Sequence, residues 1–141
     1  KTLFPYTTLS DLVKGLSHSS LVAPPPKGDP SIGTWTIKEV IVHLWHSDLA
    51  ATHRMTRVAA EEKPLLIAYD ENAFASALGY SRLDITLCCE LFRVGRLHMG
   101  QILRPLPPEA FSRVGVHNQY GKMTLLQLVD GFYPFGDGSE L

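Results

Sequence analysis

Apolar residues recur at helical spacing in several stretches of the chain. The first stretch begins at Leu9 and ends in the segment "SHSSLVAPPPKGDPSIG", where Pro, Gly and Ser are so frequent that no helix is expected to continue. The second opens with the capping box Thr36 and Glu39 and is predicted to run from about Thr36 to Glu61. Its apolar stripe consists of Ile37, Val40, Ile41, Leu44, Ala51 and Met55.

A third long helix is predicted after Ser81 and Asp84, which have capping-box spacing. Its expected core face holds Cys88, Leu91, Phe92, Gly95, His98, Met99, Ile102 and Leu103. One or two helical turns are expected at 72–78, and "RVGVHNQYGK" is predicted to be a loop. A last helix begins with the capping box Thr124 and Gln127 and is broken by Pro134 and two glycines. Strand alternation is too short to predict a sheet, so the pattern indicates four helices in an all-α bundle.

Composition narrows the function classes. The 141 residues suit one domain, predicted to cover 1–141, and 45% hydrophobic residues with a net charge of -1 are typical of a globular protein. That charge argues against nucleic acid as a partner. No apolar run is long enough to span a membrane. The adjacent Cys88 and Cys89 cannot readily form a disulfide with each other, which favours a reducing, cytoplasmic location.

Four histidines are candidate catalytic or metal-binding residues. His43 lies beside the apolar stripe of the second helix, and His46 lies further from it, as a bystander would. His98 falls inside the predicted stripe of the long helix, where a buried imidazole would need a partner such as Arg96, Asp48 or Asp70. His117 is expected to hold a turn. The candidate pocket residues are therefore Asp48, Asp70, Arg96 and His98.

Several motifs in order resemble one known family. "GTWTIKEVIVHLWHSD" is similar to the DinB/YfiT-like signature W-S-x-K-E-x-x-x-H-L, and "KPLLIAYDENAFA" is similar to its P-x-x-x-Y-D-E segment. "ELFRVGRLHMGQILRPLPPEAFSRVGVHNQYGKMTLLQLV" resembles the following stretch of that family. The resemblance implies an up-and-down four-helix bundle, often dimeric, in which three histidines hold a divalent metal. Here it carries over only His43 as a metal ligand.

The two remaining ligands of that family are missing from this sequence. The resemblance places Phe135 and Ser139 where histidines of the last helix belong, and this helix is predicted to be shortened or disrupted. Neither side chain suits Zn or Ni as imidazole does. Three accounts stay open: the metal has been lost, a weaker site has been rebuilt around His43, or the last ten residues do not reflect the ancestral reading frame.

Two functions of different classes follow. The resemblance implies a metal-binding protein similar to metal-dependent hydrolases or to transferases that use a low-molecular-weight thiol, here with a weak or absent divalent metal. The alternative is a non-enzymatic bundle without metal, which binds a small molecule or forms a homodimer. Substrate, reaction and oligomeric state are not determined by these motifs.

Overall fold

The computed structural model describes residues 9–28 and 33–132. The helices are α1 (Leu9–Val13), α2 (His18–Val22), α3 (Ile37–Ala60), α4 (Glu71–Ala77), α5 (Ile85–Leu103) and α6 (Leu125–Phe132). Short 3-10 turns cover Tyr80–Arg82 and Pro108–Ser112. The strands are β1 (Leu65–Leu66), β2 (Val114–His117) and β3 (Gly121–Thr124). Helices therefore dominate the described residues, as the apolar periodicity predicts.

Two of the predicted capping boxes are present. The Thr36 N–H donates to Glu39 Oε2 at 2.8 Å, and the Glu39 N–H donates to Thr36 Oγ1 at 3.2 Å, which fixes the start of α3. The N–H groups of Thr124 and Gln127 make the corresponding reciprocal bonds before α6, at 2.9 Å and 3.1 Å. Both interactions are local, so the spacing of the residues was enough to predict them.

The first helices and the start of α5 differ from prediction. The Ser- and Pro-rich segment does contain a helix, α2, because the Ser17 hydroxyl accepts from the Ser20 N–H at 3.2 Å and caps it. Ser81 takes no part in a capping box. Instead the Asp84 carboxylate accepts from the Thr86 N–H at 2.8 Å, directly before α5.

A three-stranded sheet in the order β1-β2-β3 was not predicted. Strand β1 runs parallel to β2, and β2 runs antiparallel to β3, so the segment predicted as the loop "RVGVHNQYGK" forms a hairpin. Each strand has four residues or fewer, which is too short for alternation to be distinguished from chance. The prediction of a helical bundle stands, with this small sheet added to it.

Arginine side chains hold the sheet against the second half of α3. Arg57 Nη1 donates to the Leu65 carbonyl at 2.6 Å, and Arg54 Nη2 donates to the Ile67 carbonyl at 2.8 Å. These carbonyls lie on the edge of β1 away from β2, so the two arginines satisfy acceptors that an edge strand leaves open. Arg113 adds bonds to the carbonyls of Val58 and Glu61 at 3.0 Å and 2.8 Å, at the C-terminal end of α3.

The chain divides into two compact units. Among described residues, one unit comprises 47–69 and 94–132, and its core contains Ala51, Met55, Val58, Leu66, Met99, Leu103, Leu125, Leu128 and Val129. The other comprises 9–28, 33–46 and 70–93, and its core contains Leu9, Ile41, Val42, Tyr80, Cys88 and Cys89. Burial raises the pKa of both cysteine thiols, which fits their place in a core. A single domain over 1–141 stays a prediction.

Gly115 allows β2 to approach α3 closely. A Cβ atom at this position would lie 2.8 Å from both Leu66 Cδ1 and Val58 Cγ2. We expect Gly115→Ala to lower the free energy of unfolding by about 1–3 kcal/mol through overpacking. Urea denaturation measures this loss of stability. The same substitution is then made in a Val58→Ala background, where the contact with Val58 Cγ2 is absent. Equal costs in both backgrounds would show that steric contact with Val58 is not the cause.

His117 holds the turn between β2 and β3. Its Nδ1 accepts from the backbone N–H groups of Gln119 and Tyr120 at 3.1 Å and 3.3 Å, and its ring stacks on Tyr120 with centroids 4.8 Å apart. The side chain is buried, and burial, followed by the charge of Arg54, lowers the pKa of His117. The fold therefore requires neutral imidazole, and the expected turn role is supported.

Stability should fall on acidification because of this turn. The folded pKa of His117 lies below its ordinary value of about 6.5, so the unfolded chain binds the proton first. The stabilisation is complete above about pH 6.5 and is lost as the pH falls toward the folded pKa. The urea midpoint of the parent is measured from pH 7.5 to 5 and should fall as the pH falls. In His117→Asn the midpoint should depend less steeply on pH, because an amide oxygen accepts the same bonds without titrating. A parent-like slope in His117→Asn contradicts the account.

Candidate functional site

His43 stands in the second turn of α3, downstream of the Thr36 and Glu39 capping box. Its ring packs against Trp35 with centroids 4.9 Å apart and an angle of 60° between the planes. The side chain is 18% exposed, and its Nδ1 is buried. The capped helix and the indole together restrict the rotation of the imidazole.

A carboxylate faces His43 that the sequence did not single out. Glu71 Oε2 lies 3.8 Å from His43 Nε2, and the Glu71 side chain is 53% exposed. Glu71 is the first residue of α4, directly after Asp70. The sequence contained one signal for it, the "YDE" segment, but the pocket prediction chose Asp70 from that segment instead of its neighbour.

Asp70 has a structural role in the described residues. Its Oδ1 accepts from the Ala73 N–H at 2.9 Å and caps α4. This cap sets where α4 begins and therefore where Glu71 stands. The further prediction that Asp70 lines a pocket stays a prediction.

His46 packs among aromatic rings. Its ring meets Tyr80 edge-on with centroids 5.1 Å apart, and Phe74 edge-on at 6.1 Å. Burial and then the neighbouring His43 lower the pKa of His46. Neutral imidazole in apolar surroundings fits the expectation that His46 is a bystander in any chemistry, although it contributes to packing.

Asp48 and Arg96 form an ion pair in the other unit. Arg96 Nε lies 2.7 Å from Asp48 Oδ1, and the side chain of Asp48 is 1% exposed, compared with 17% for Arg96. Burial raises the pKa of Asp48, and the guanidinium opposes that rise. The structure thus brings together two of the four predicted pocket residues, as partners of each other on facing positions of α3 and α5.

His98 is exposed, so the prediction that it faces the interior was wrong. The buried face of α5 carries Cys88, Met99 and Leu103, and the same helical phase includes Arg96 instead of His98. The predicted stripe extended too far to the side of Leu91 and His98, because Leu91, at 40% exposure, was counted as core. Arg96, paired with Asp48, lies on the buried side of α5.

The donor set for a metal at His43 is small. No group of three His, Cys, Asp or Glu side chains that could hold a metal occurs within 9–28 and 33–132. His43 Nε2 and the Glu71 carboxylate are two donor groups that face each other. Phe135 and Ser139, the positions of the other two family ligands, lie outside the described residues. Among described residues, the donors therefore do not complete a three-histidine site.

Breaking the Asp48 and Arg96 pair should lower the free energy of unfolding more than breaking a surface ion pair does. Asp48→Ala leaves the guanidinium without its carboxylate in the core, with an expected loss of about 3–5 kcal/mol in the free energy of unfolding. The double variant Asp48→Leu with Arg96→Met should recover most of that loss. Urea denaturation of Asp48→Leu, Arg96→Met and their double variant measures the coupling between the two groups. The control, Glu90→Ala, breaks the exposed pair with Arg93 and should change stability little. Additive single and double losses would show that the two groups do not interact.

Comparisons with known proteins agree with this architecture. The family model of the DinB superfamily matches residues 6–130. A protein of Oceanobacillus iheyensis named "Putative metal-dependent hydrolase" is 30% identical over 93 residues, which are 66% of this chain and 54% of that protein. The chain therefore spans about half the length of that curated relative. No helix in the described residues is long and apolar enough to cross a membrane.

A solved structure shares the fold. YfiT from Bacillus subtilis, described as "a probable metal-dependent hydrolase with an unusual four-helix bundle topology", aligns with a TM-score of 0.77 and 25% sequence identity. The alignment covers 89% of this chain and 69% of YfiT. The predicted four-helix-bundle fold is thereby confirmed. Because the family model matches most of its length, the chain belongs to the DinB superfamily and has the YfiT-like fold.

Proposed function

We propose that this chain carries a weak divalent-metal centre at His43 and acts in the class of metal-dependent hydrolases. The observation that carries the proposal is the setting of His43, whose ring packs against Trp35 on a capped helix and whose Nε2 faces the Glu71 carboxylate at 3.8 Å. The names of the two relatives support a metal as the cofactor. The metal dependence in those names belongs to the two relatives, and for this chain it is a proposal.

A divalent metal at His43 would supply Lewis acidity, which lowers the pKa of a bound water or thiol to near neutral pH. The residues of this chain would hold and orient the site: Trp35 keeps the imidazole in place, and the rings around His46 exclude water from one side. The same nucleophile chemistry suits ester or amide hydrolysis and transfer to a low-molecular-weight thiol. We rank hydrolysis first because both relatives are named for it.

A non-enzymatic bundle without metal is the second candidate, binding a small molecule or forming a homodimer. The finding that favours it is the lack of a three-donor group among the described residues. In that case His43 would serve as a hydrogen-bonding group beside Trp35. The two candidates differ in whether a divalent cation binds at His43, so metal binding decides between them before any substrate is known.

Metal binding should depend on His43 and not on another histidine of α3. We expect tag-free protein dialysed against ZnCl2 to retain less than one equivalent by elemental analysis, and His43→Ala to lose it. His53→Ala removes an exposed histidine from the same helix and should retain as much as the parent. The double variant Phe135→His with Ser139→His should approach one equivalent, because three imidazoles bind zinc more tightly than one. Zinc retained by His43→Ala, or absent from the parent, contradicts the proposed centre.

A further inference from the structure

We propose that two copies of this chain associate through the exposed face of α5, with the two α5 helices antiparallel. The proposal does not depend on a metal at His43. It starts from four apolar side chains of α5 that are 40% to 57% exposed, namely Leu87, Leu91, Val94 and Leu97. Their spacing of four, three and three residues places them along one side of the helix. We call these four side chains the outer stripe.

The outer stripe is a second apolar face on a helix that already has a buried one. Cys88, Met99 and Leu103 fill the buried face of α5. A helix that packs on one side and meets water on the other usually carries polar residues on its outer side. Single exposed leucines are ordinary, but an apolar stripe about three turns long marks a surface that another element covers.

The spacing of the outer stripe suits packing against an equivalent helix. Leu87, Leu91 and Val94 follow the alternating steps of four and three residues that form the seam of paired helices, and His98 continues the pattern. Such a seam inserts its side chains between those of a second helix. A two-fold axis presents the same surface on both sides, so a seam that is complementary to itself requires only another copy of the chain.

The charges along α5 favour a second copy in the antiparallel orientation. Asp84, directly before α5, and Glu90, in its first half, are exposed acidic residues. His98, in the second half, and Arg104, directly after α5, are exposed basic residues. An antiparallel pair brings the acidic half of one helix to the basic half of the other, and a parallel pair brings like charges together. Arg93 binds Glu90 of its own helix and lies near the centre, where it favours neither orientation.

The helix dipoles favour the same orientation, because antiparallel helices place ends of opposite partial charge side by side. One helix from each chain contributes to the contact, so we expect a small interface and a reversible dimer. Interfaces below about 1,200 Å² belong to weak and transient complexes. The dimer should therefore form at micromolar concentrations and dissociate on dilution.

Sedimentation equilibrium of matched variants tests the surface. The full chain is measured from about 1 to 500 μM, a range that covers weak interfaces, with EDTA present so that no metal bridges two copies. The average mass of the parent should rise from one chain toward two. Leu91→Glu brings a charge into the centre of the seam from both copies, and should raise the dissociation constant more than about 30-fold. Leu126→Glu alters a leucine of α6 with 42% exposure and should dissociate like the parent.

Folding of the variants is checked by circular dichroism and thermal melts at a concentration where the parent is a monomer. Leu91 is exposed, so Leu91→Glu should melt like the parent under these conditions. Val94→Gln is a second test of the stripe, since it removes apolar surface and adds no charge. It should also raise the dissociation constant.

Crosslinking tests the orientation. A two-fold axis between Leu91 and Val94 places the two copies of position 94 about 5 Å apart along the helices, and the two copies of position 87 about 16 Å apart. With a short bismaleimide, Val94→Cys should give crosslinked dimer and Leu87→Cys should give little. A parallel pair would crosslink at both positions. Cys88 and Cys89 are buried, and the parent without a new cysteine is the control.

The outcomes separate the surface from the orientation. A parent dimer that Leu91→Glu and Val94→Gln weaken, and that crosslinks at position 94 but not at 87, supports the proposal. A parent that stays monomeric up to the highest concentration overturns it. A dimer that neither Leu91→Glu nor Val94→Gln weakens uses another surface, which also overturns it. Equal crosslinking at positions 87 and 94 overturns the antiparallel arrangement.

Discussion

The rotational setting of α3 about its own axis is the constraint on which the candidate residues depend. The first half of the helix places Ile41 and Val42 in the core of one unit, and the second half places Ala51, Met55 and Val58 in the core of the other. Once that setting is fixed, Asp48 is buried and His43 is left at the margin of its core, partly exposed.

Polar groups in this protein are stabilised by specific partners more than by solvent. The buried carboxylate of Asp48 faces Arg96, and His117 accepts two backbone bonds in its turn. The edge of β1 is satisfied by Arg54 and Arg57 from α3. In each case the group would lose hydration on burial, and the partner offsets part of that cost. The Asp48 and Arg96 pair connects elements that are distant in the sequence, whereas the bonds of His117 are local.

The candidate site combines one residue with a clear family signature and one without. His43 lies within the residues that the DinB superfamily model matches, and its neighbour Trp35 comes from the same stretch of sequence. Glu71 stands beside Asp70, which has the more evident local role as a helix cap. A carboxylate in the first turn of a short helix is so common that its position next to an imidazole could not be inferred from spacing.

The sequence by itself determined the features that depend on local interactions: the bounds of α3, the end of α5, the capping boxes at Thr36 and Thr124, and the family with its bundle fold. These follow from hydrogen bonds three residues apart and from apolar periodicity. Only the tertiary structure decided that Arg96 and not His98 faces inward, that β1, β2 and β3 pair, and that Glu71 faces His43. Those outcomes depend on which surfaces pack together across long stretches of chain. A helix with apolar residues on more than one face, such as α5, does not reveal its buried side until its partner is in place.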